Sequence, residues 1–191
     1  MKLIGLDQAI ARAWRNGGGT TRELFTWPAS GPWQLRISVA DINADGPFSA
    51  FDGVDRWFAV AEGDGVVLQF GDSQHRLLTD SEPLHFDGAA APGCKLLGGA
   101  TRDLNLMCQR DAGRAQMLRV QAGADWISAA PLRALFTTTP LRLLIDGALV
   151  AELPAWTLAL GTQAAQQRWR VADAVEAKPA WWMEFSPHAG A

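Results

Sequence analysis

The chain reads as a run of short segments in which apolar and polar residues alternate, each cut off by glycine or proline within a few residues. In the clearest of them Trp33, Leu35, Ile37 and Val39 fall on one side and Gln34, Arg36 and Ser38 on the other, the period of a half-buried β-strand. Arg56 to Ala61 and Val66 to Phe70 flank Glu62-Gly63-Asp64-Gly65, a hairpin turn whose glycines adopt positive φ at little cost. Leu141 to Ile145 and Ala148 to Leu153 flank Asp146-Gly147, a dipeptide suited to a type I′ turn. Leu104 to Cys108, Thr157 to Leu160, Gln167 to Val171 and Trp181 to Phe185 add four further strands. Many short strands at near-regular spacing point to a sandwich or a closed barrel.

Helical signal is thin. Asp7 to Trp14 fits one or two turns with Asp7 as the cap and Gly17-Gly18-Gly19 as the stop, Arg110 to Arg119 is a poorer candidate, and a short turn is expected at Ala129 to Leu135. The strands form two groups, about Trp33 to Gln109 and Leu118 to Phe185, with no low-complexity linker between them. We therefore expect two barrels sharing a core. Residues 1–115 make the first with its N-terminal segment, and 116–191 make a second, smaller one.

Charge and composition remove several functions. The formal net charge is -3 with no basic run, so neither a nucleic-acid footprint nor a polybasic membrane patch is expected. The N-terminus reaches Asp7 before any long apolar stretch, and no later stretch is apolar enough to span a bilayer, which makes the cytoplasm the expected location. Cys94 and Cys108 then read as reduced, buried thiols. Nine scattered tryptophans with no tyrosine suggest an indole-rich core.

Arg56 stands seven residues before Gly63, while Gly98, Thr101 and Asn105 are spaced Gly-x-x-Thr-x-x-x-Asn. Both spacings resemble the two motifs of cupin barrels. The resemblance puts Arg56 at the motif's glutamate, Ala50 and Asp52 at its paired histidines, and Thr101 at the last histidine. All four ligand positions are changed. A transition-metal site needs about three N or O ligands converging on one point, which a single aspartate does not supply, so no metal and no cofactor are expected. His75, His85 and His188 match none of these positions.

A second resemblance covers more of the chain. Trp14-Arg15-Asn16-Gly17-Gly18-Gly19-Thr20-Thr21-Arg22-Glu23, then Arg36-Ile37-Ser38-Val39-Ala40, then Gly46-Pro47-Phe48-Ser49-Ala50-Phe51 with Gly53 and Arg56 come in that order. Phe86-Asp87-Gly88 and Thr101-Arg102-Asp103-Leu104-Asn105-Leu106-Met107 follow. Together they resemble the HutD/Ves family, with a looser match after about Arg119 and with Arg15 in place of the family's commoner lysine. The resemblance implies an all-β fold of two cupin-type double-stranded β-helix barrels packed together, a bicupin with few short helices. It also implies an association with histidine utilisation and a carboxylate-bearing intermediate, urocanate or formyl- or formimino-glutamate, as ligand.

Arg36 and Ser38 share a strand face that either meets water or lines a barrel lumen. The lumen is the stronger reading, because small barrels hold one ligand and Arg56 sits at the cupin ligand position. Arg36 and Arg56 would grip a carboxylate with planar, bidentate geometry. Asp103 and Asn105 alternate with Leu104 and Leu106. Asp103 orients an arginine or forms a structural salt bridge, and Asn105 suits an amide, formyl or imidazole group. The glycine run is no phosphate loop, since no strand precedes it and no Gly-Lys-Ser/Thr follows. It suits a tight backbone crossing near the barrel mouth, where Asn16, Thr20 and Arg22 add contacts to a ligand. Serine and cysteine lack a nucleophile's partners, and nothing in the spacing supports Glu23 and Asp103 as an acid–base pair. The expected function is regulatory binding of the carboxylate metabolite. The rivals are a metal-independent isomerase or hydrolase acting on a formylated or imidazole acid, and a structural or partner-binding role. A homo-oligomer is compatible with all three readings.

Overall fold

A computed structural model describes residues 1–162, 166–172 and 179–188. Its strands form four antiparallel sheets that pack as two facing pairs. In the first pair, a six-stranded sheet runs in the order Ala11–Ala13, Gly19–Trp27, Leu35–Ile42, Thr101–Gln109, Val54–Glu62, Leu84–Asp87. It faces a four-stranded sheet built from Gly46–Pro47, Gly93–Leu96, Val66–Phe70 and Ser73–Leu77. Ile42, Phe58 and Val60 from one side meet Phe48, Val66, Leu68, Leu77 and Cys94 from the other. The second pair sets the five strands Lys2–Gly5, Thr157–Gly161, Leu132–Thr137, Ala180–Pro187 and Gly113–Arg119 against the four strands Asp125–Ser128, Gln167–Ala172, Leu141–Ile145 and Ala148–Leu153. Trp169, Trp182 and Leu143 lie in the core between them.

A third core joins the two pairs. Leu35, Ile37 and Val39, with Leu104, Leu106, Cys108, Trp57 and Ala59 from the neighbouring strands, pack on Ala134, Phe136, Leu158, Leu160, Trp181, Met183 and Phe185. The six-stranded sheet is thus apolar on the face toward the second half. Strand pleating sends the intervening residues to the opposite face, into the first barrel. The fold is the all-β, double-barrel cupin architecture.

Every segment expected to be helical is different. Asp7 to Trp14 holds only a 3-10 turn at Leu6–Gln8, followed by the strand Ala11–Ala13, which pairs with Thr20 to Arg22. Arg110 to Arg119 contains the strand Gly113–Arg119, paired with Ala180–Pro187. Ala129 to Leu135 runs into the strand Leu132–Thr137, all six residues of which are buried. Sheets cover that strand on both sides, which erases the alternation that marks a strand in the sequence. Trp33 precedes its expected strand, which begins at Leu35. The N-terminal strand Lys2–Gly5, grouped by sequence with the first half, pairs with Thr157–Gly161 of the second. No described helix is long and apolar enough to cross a membrane.

Candidate functional site

Three adjacent strands supply the lumen face. In the ladder Met107 stands between Arg36 and Arg56, Asn105 between Ser38 and Phe58, and Asp103 between Ala40 and Val60. Arg36, Ser38, Arg56, Asp103 and Asn105 therefore share one side of the sheet, as their alternation with buried leucines and isoleucine predicts. The layers deepen from the arginines at the mouth, past Ser38 and Asn105, to Asp103, and the rest of the lumen is filled with apolar side chains.

Arg56 is buried. Its Nε and Nη2 donate to Asn105 Oδ1 at 2.9 and 2.6 Å, and its guanidinium lies 4.3 Å from the Phe48 ring centroid and 5.5 Å from that of Phe86. Burial, with a smaller push from the nearby Arg36, pulls its pKa down to about 9 against the opposing charge of Asp103. Arg36 lies 5.3 Å from the Trp33 ring and 5.5 Å from that of Phe51, with Nη2 at 3.1 Å from Met107 Sδ and no partner for Nε. Burial lowers its pKa also, against the pull of Glu23. Asp103 accepts from Thr101 Oγ1 at 2.8 Å, while its Oδ1 has no partner. Burial raises its pKa to about 8, opposed by the Thr101 hydrogen bond and by Arg56.

Above the arginines opens a cleft of about 690 Å³. Arg36, Arg56, Phe48 and Phe51 line it, with Thr21 and Glu23 from the strand Gly19–Trp27, Arg12 from the strand Ala11–Ala13, and Trp14, Arg15 and Asn16 from the turn between those strands. Asn16 Oδ1 accepts from the Gly18 N–H at 3.0 Å and so shapes the turn. Gly19 brings that turn against the barrel, since a Cβ there would sit 2.3 Å from Asp41 O and 3.1 Å from the Trp14 ring. The glycine run is thus a close backbone crossing at the cleft rim.

Of the eight expected residues Arg36, Arg56 and Asn16 line this cleft, Ser38, Asp103 and Asn105 lie inside the lumen rather than in the cleft lining, and two point elsewhere. Thr20 and Arg22 lie on the opposite face of their strand, where Arg22 pairs with Asp41 and Thr20 Oγ1 is 3.3 Å from the same carboxylate. Arg102 Nε also reaches Asp41, at 2.6 Å, which makes this a cation–carboxylate cluster at the seam between the halves. The residues that sequence reasoning left out are Thr21, Glu23, Trp14, Arg12 and Arg15. Their signal was present, since all but Arg12 lie in the Trp14–Glu23 segment already singled out.

The cupin ligand positions do not fit a divalent cation. Arg56 replaces a ligand with a fixed positive charge, Ala50 offers no donor, Asp52 lies in an exposed turn, and Thr101 is committed to Asp103. His85 stacks on Trp57 at 4.2 Å, His75 meets Phe70 edge-on, and His188 lies 3.2 Å from Arg110 O. Both cysteines are free and buried, and burial raises each thiol to about 12.

The HutD family model matches residues 7–176. A Pseudomonas putida protein from the hutC 3′ region is 35% identical over 141 residues, spanning 73% of this chain and 74% of that one. HutD from Pseudomonas fluorescens, solved in a formate condition, superposes with a TM-score of 0.85 at 25% identity over 98% of this chain and 99% of that one. The nickel-bound pirin YhhW of Escherichia coli shares the fold alone, with a TM-score of 0.60 at 11% identity over 98% of this chain and 99% of that one. A match running through both halves and the arginine-lined cleft makes this chain a member of the HutD family.

Proposed function

We propose that the cleft binds a small carboxylate metabolite of histidine degradation, in a regulatory rather than a catalytic role. The observation that carries this reading is Arg56. Its guanidinium is buried at the cleft floor against a neutral amide oxygen and two aromatic rings, with no carboxylate in direct contact among the described residues. Burying a cation without a counter-ion is costly, and an anion held beside Arg36 and Arg56 would offset that cost. Asn105 holds the Nε–Nη2 edge of Arg56, which leaves the Nη1 side of its fork for a ligand, and Arg36 lines the same cleft. The link to histidine utilisation rests on the family and on the hutC-region relative.

The test is calorimetric titration with urocanate, formyl-glutamate, formimino-glutamate and formate. We expect saturable binding to the wild type. Losing one charged partner of a buried pair typically costs about 2–5 kcal/mol, so Arg56→Met should weaken binding by on the order of 30-fold or more. Arg56→Lys should recover part of the loss, because a point charge does not reproduce the bidentate fork. Arg114, exposed on the second half, serves as the control position. Binding that survives substitution of both Arg36 and Arg56 would remove the cleft from the assignment. Product formed from any of these compounds would replace regulation with catalysis.

A further inference from the structure

Among the described residues Glu23 is the one carboxylate lining the cleft, set among four arginines: Arg12, Arg15, Arg36 and Arg56. Its position is fixed by register. It pairs with Ser38 in the ladder and so shares the lumen-side face with Arg36, and a β-bulge follows it between Glu23 and Phe25. A structural explanation would make Glu23 the counter-ion of Arg36. Arg36 does feel its charge, yet no direct ion pair joins the two among the described residues. The Arg36 guanidinium instead lies against Trp33, Phe51 and Met107 sulfur, and its Nε is unpartnered. Negative and positive groups thus face the same cavity without closing on each other.

From this arrangement we infer that the ligand is amphoteric. Its carboxylate lies on Arg36 and Arg56, and a cationic nitrogen at its other end is received by Glu23. This rests on the anion-binding reading above and narrows it to carboxylates bearing an ammonium, amidinium or guanidinium group. A simple anion would meet Glu23 as a repulsive charge, so the same residue both attracts the cation-bearing ligand and rejects its plain analogue. Phe48, Phe51 and Trp14 would flank the connecting carbons.

Butyrate, 4-aminobutyrate and 4-guanidinobutyrate share the carboxylate arm and differ at the far end, which makes them suitable probes. Wild-type protein should bind the two cationic probes about three- to tenfold more tightly than butyrate, the range for one partly exposed ion pair. Glu23→Gln should move the ligands in opposite directions, weakening the cationic probes and strengthening butyrate until the preference disappears. A general loosening of the cleft would shift all three the same way, so the crossing separates ligand contact from a structural role. If Glu23→Gln leaves the preference unchanged, or shifts all three alike while Arg56→Met still abolishes binding, the amphoteric inference fails and the anion site stands. If no carboxylate, charged at its far end or not, binds the wild type, both fall.

Discussion

At the scale of single residues, Asp103 is the group whose state most depends on the fold. Burial lifts its pKa from 3.8 to about 8, so the folded protein keeps a proton that the unfolded chain releases above about pH 4. The stability this proton contributes is fully present below about pH 4 and is lost as pH rises through about 8. Asp103→Asn has the same shape and does not titrate. Its stability should therefore hold up better at high pH, gaining on the wild type by on the order of 1–3 kcal/mol between about pH 5 and pH 9, as followed by urea denaturation. Parallel curves for the two proteins would show that Asp103 is ionised throughout. Four of the lumen residues, Arg36, Ser38, Asp103 and Asn105, are legible in the sequence because Leu35, Ile37, Leu104 and Leu106 fix the parity of their strands, while Arg56 is marked only by its spacing to Gly63. No such marker exists in Thr20-Thr21-Arg22-Glu23, where polar residues run consecutively. Contacts expected from Thr20 and Arg22 set that strand one residue out of parity, and such a shift moves every side chain to the other face.

At the scale of elements, the turn from Trp14 to Gly19 determines whether the cleft has an outer wall. Trp14 N–H donates to Gly19 O at 2.9 Å, and Asn43 N–H donates to Gly18 O at 2.9 Å, tying the turn to the strand Leu35–Ile42 at its end. Gly19→Ala would drive a methyl into Asp41 O and should cost about 2 kcal/mol or more, with loss of ligand binding. Gly17→Ala should cost about 1 kcal/mol, since its φ of +72° is unfavourable for alanine but the space around it is open. Equal effects of the two, measured by thermal unfolding beside titration, would contradict the close-crossing account. The sequence marked this turn by its glycines but misassigned what precedes it. Asp7 offers a cap and Gly17 a stop, yet Ala11–Ala13 has no apolar stripe to bury as a helix and gains a ladder partner in Thr20 to Arg22. The strand Leu132–Thr137 escapes notice for the opposite reason: all six residues are buried, Arg133 and Thr137 included, so no exposed face marks a period.

At the scale of the whole molecule, the halves are joined by a core rather than a linker. Phe136 is fully buried there, with ring centroids 6.1 Å from Trp156 and 6.2 Å from Trp181. Phe136→Ala should cost about 3–5 kcal/mol, a large share of the stability of a domain this size, and should destabilise both halves together. Calorimetry should show one transition that moves down as a unit, and two separating transitions would mean that the halves fold independently. The shared sheet has a further consequence. Along Leu35–Ile42, Thr101–Gln109 and Val54–Glu62, odd and even positions answer to different neighbours: one set to the other barrel, the other set to whatever occupies the lumen. The lock between barrels and the lining of the chamber are thus written on alternate letters of the same strands. On the binding role proposed above, ligand choice would be rewritten on one set of letters while the other continues to hold the molecule together.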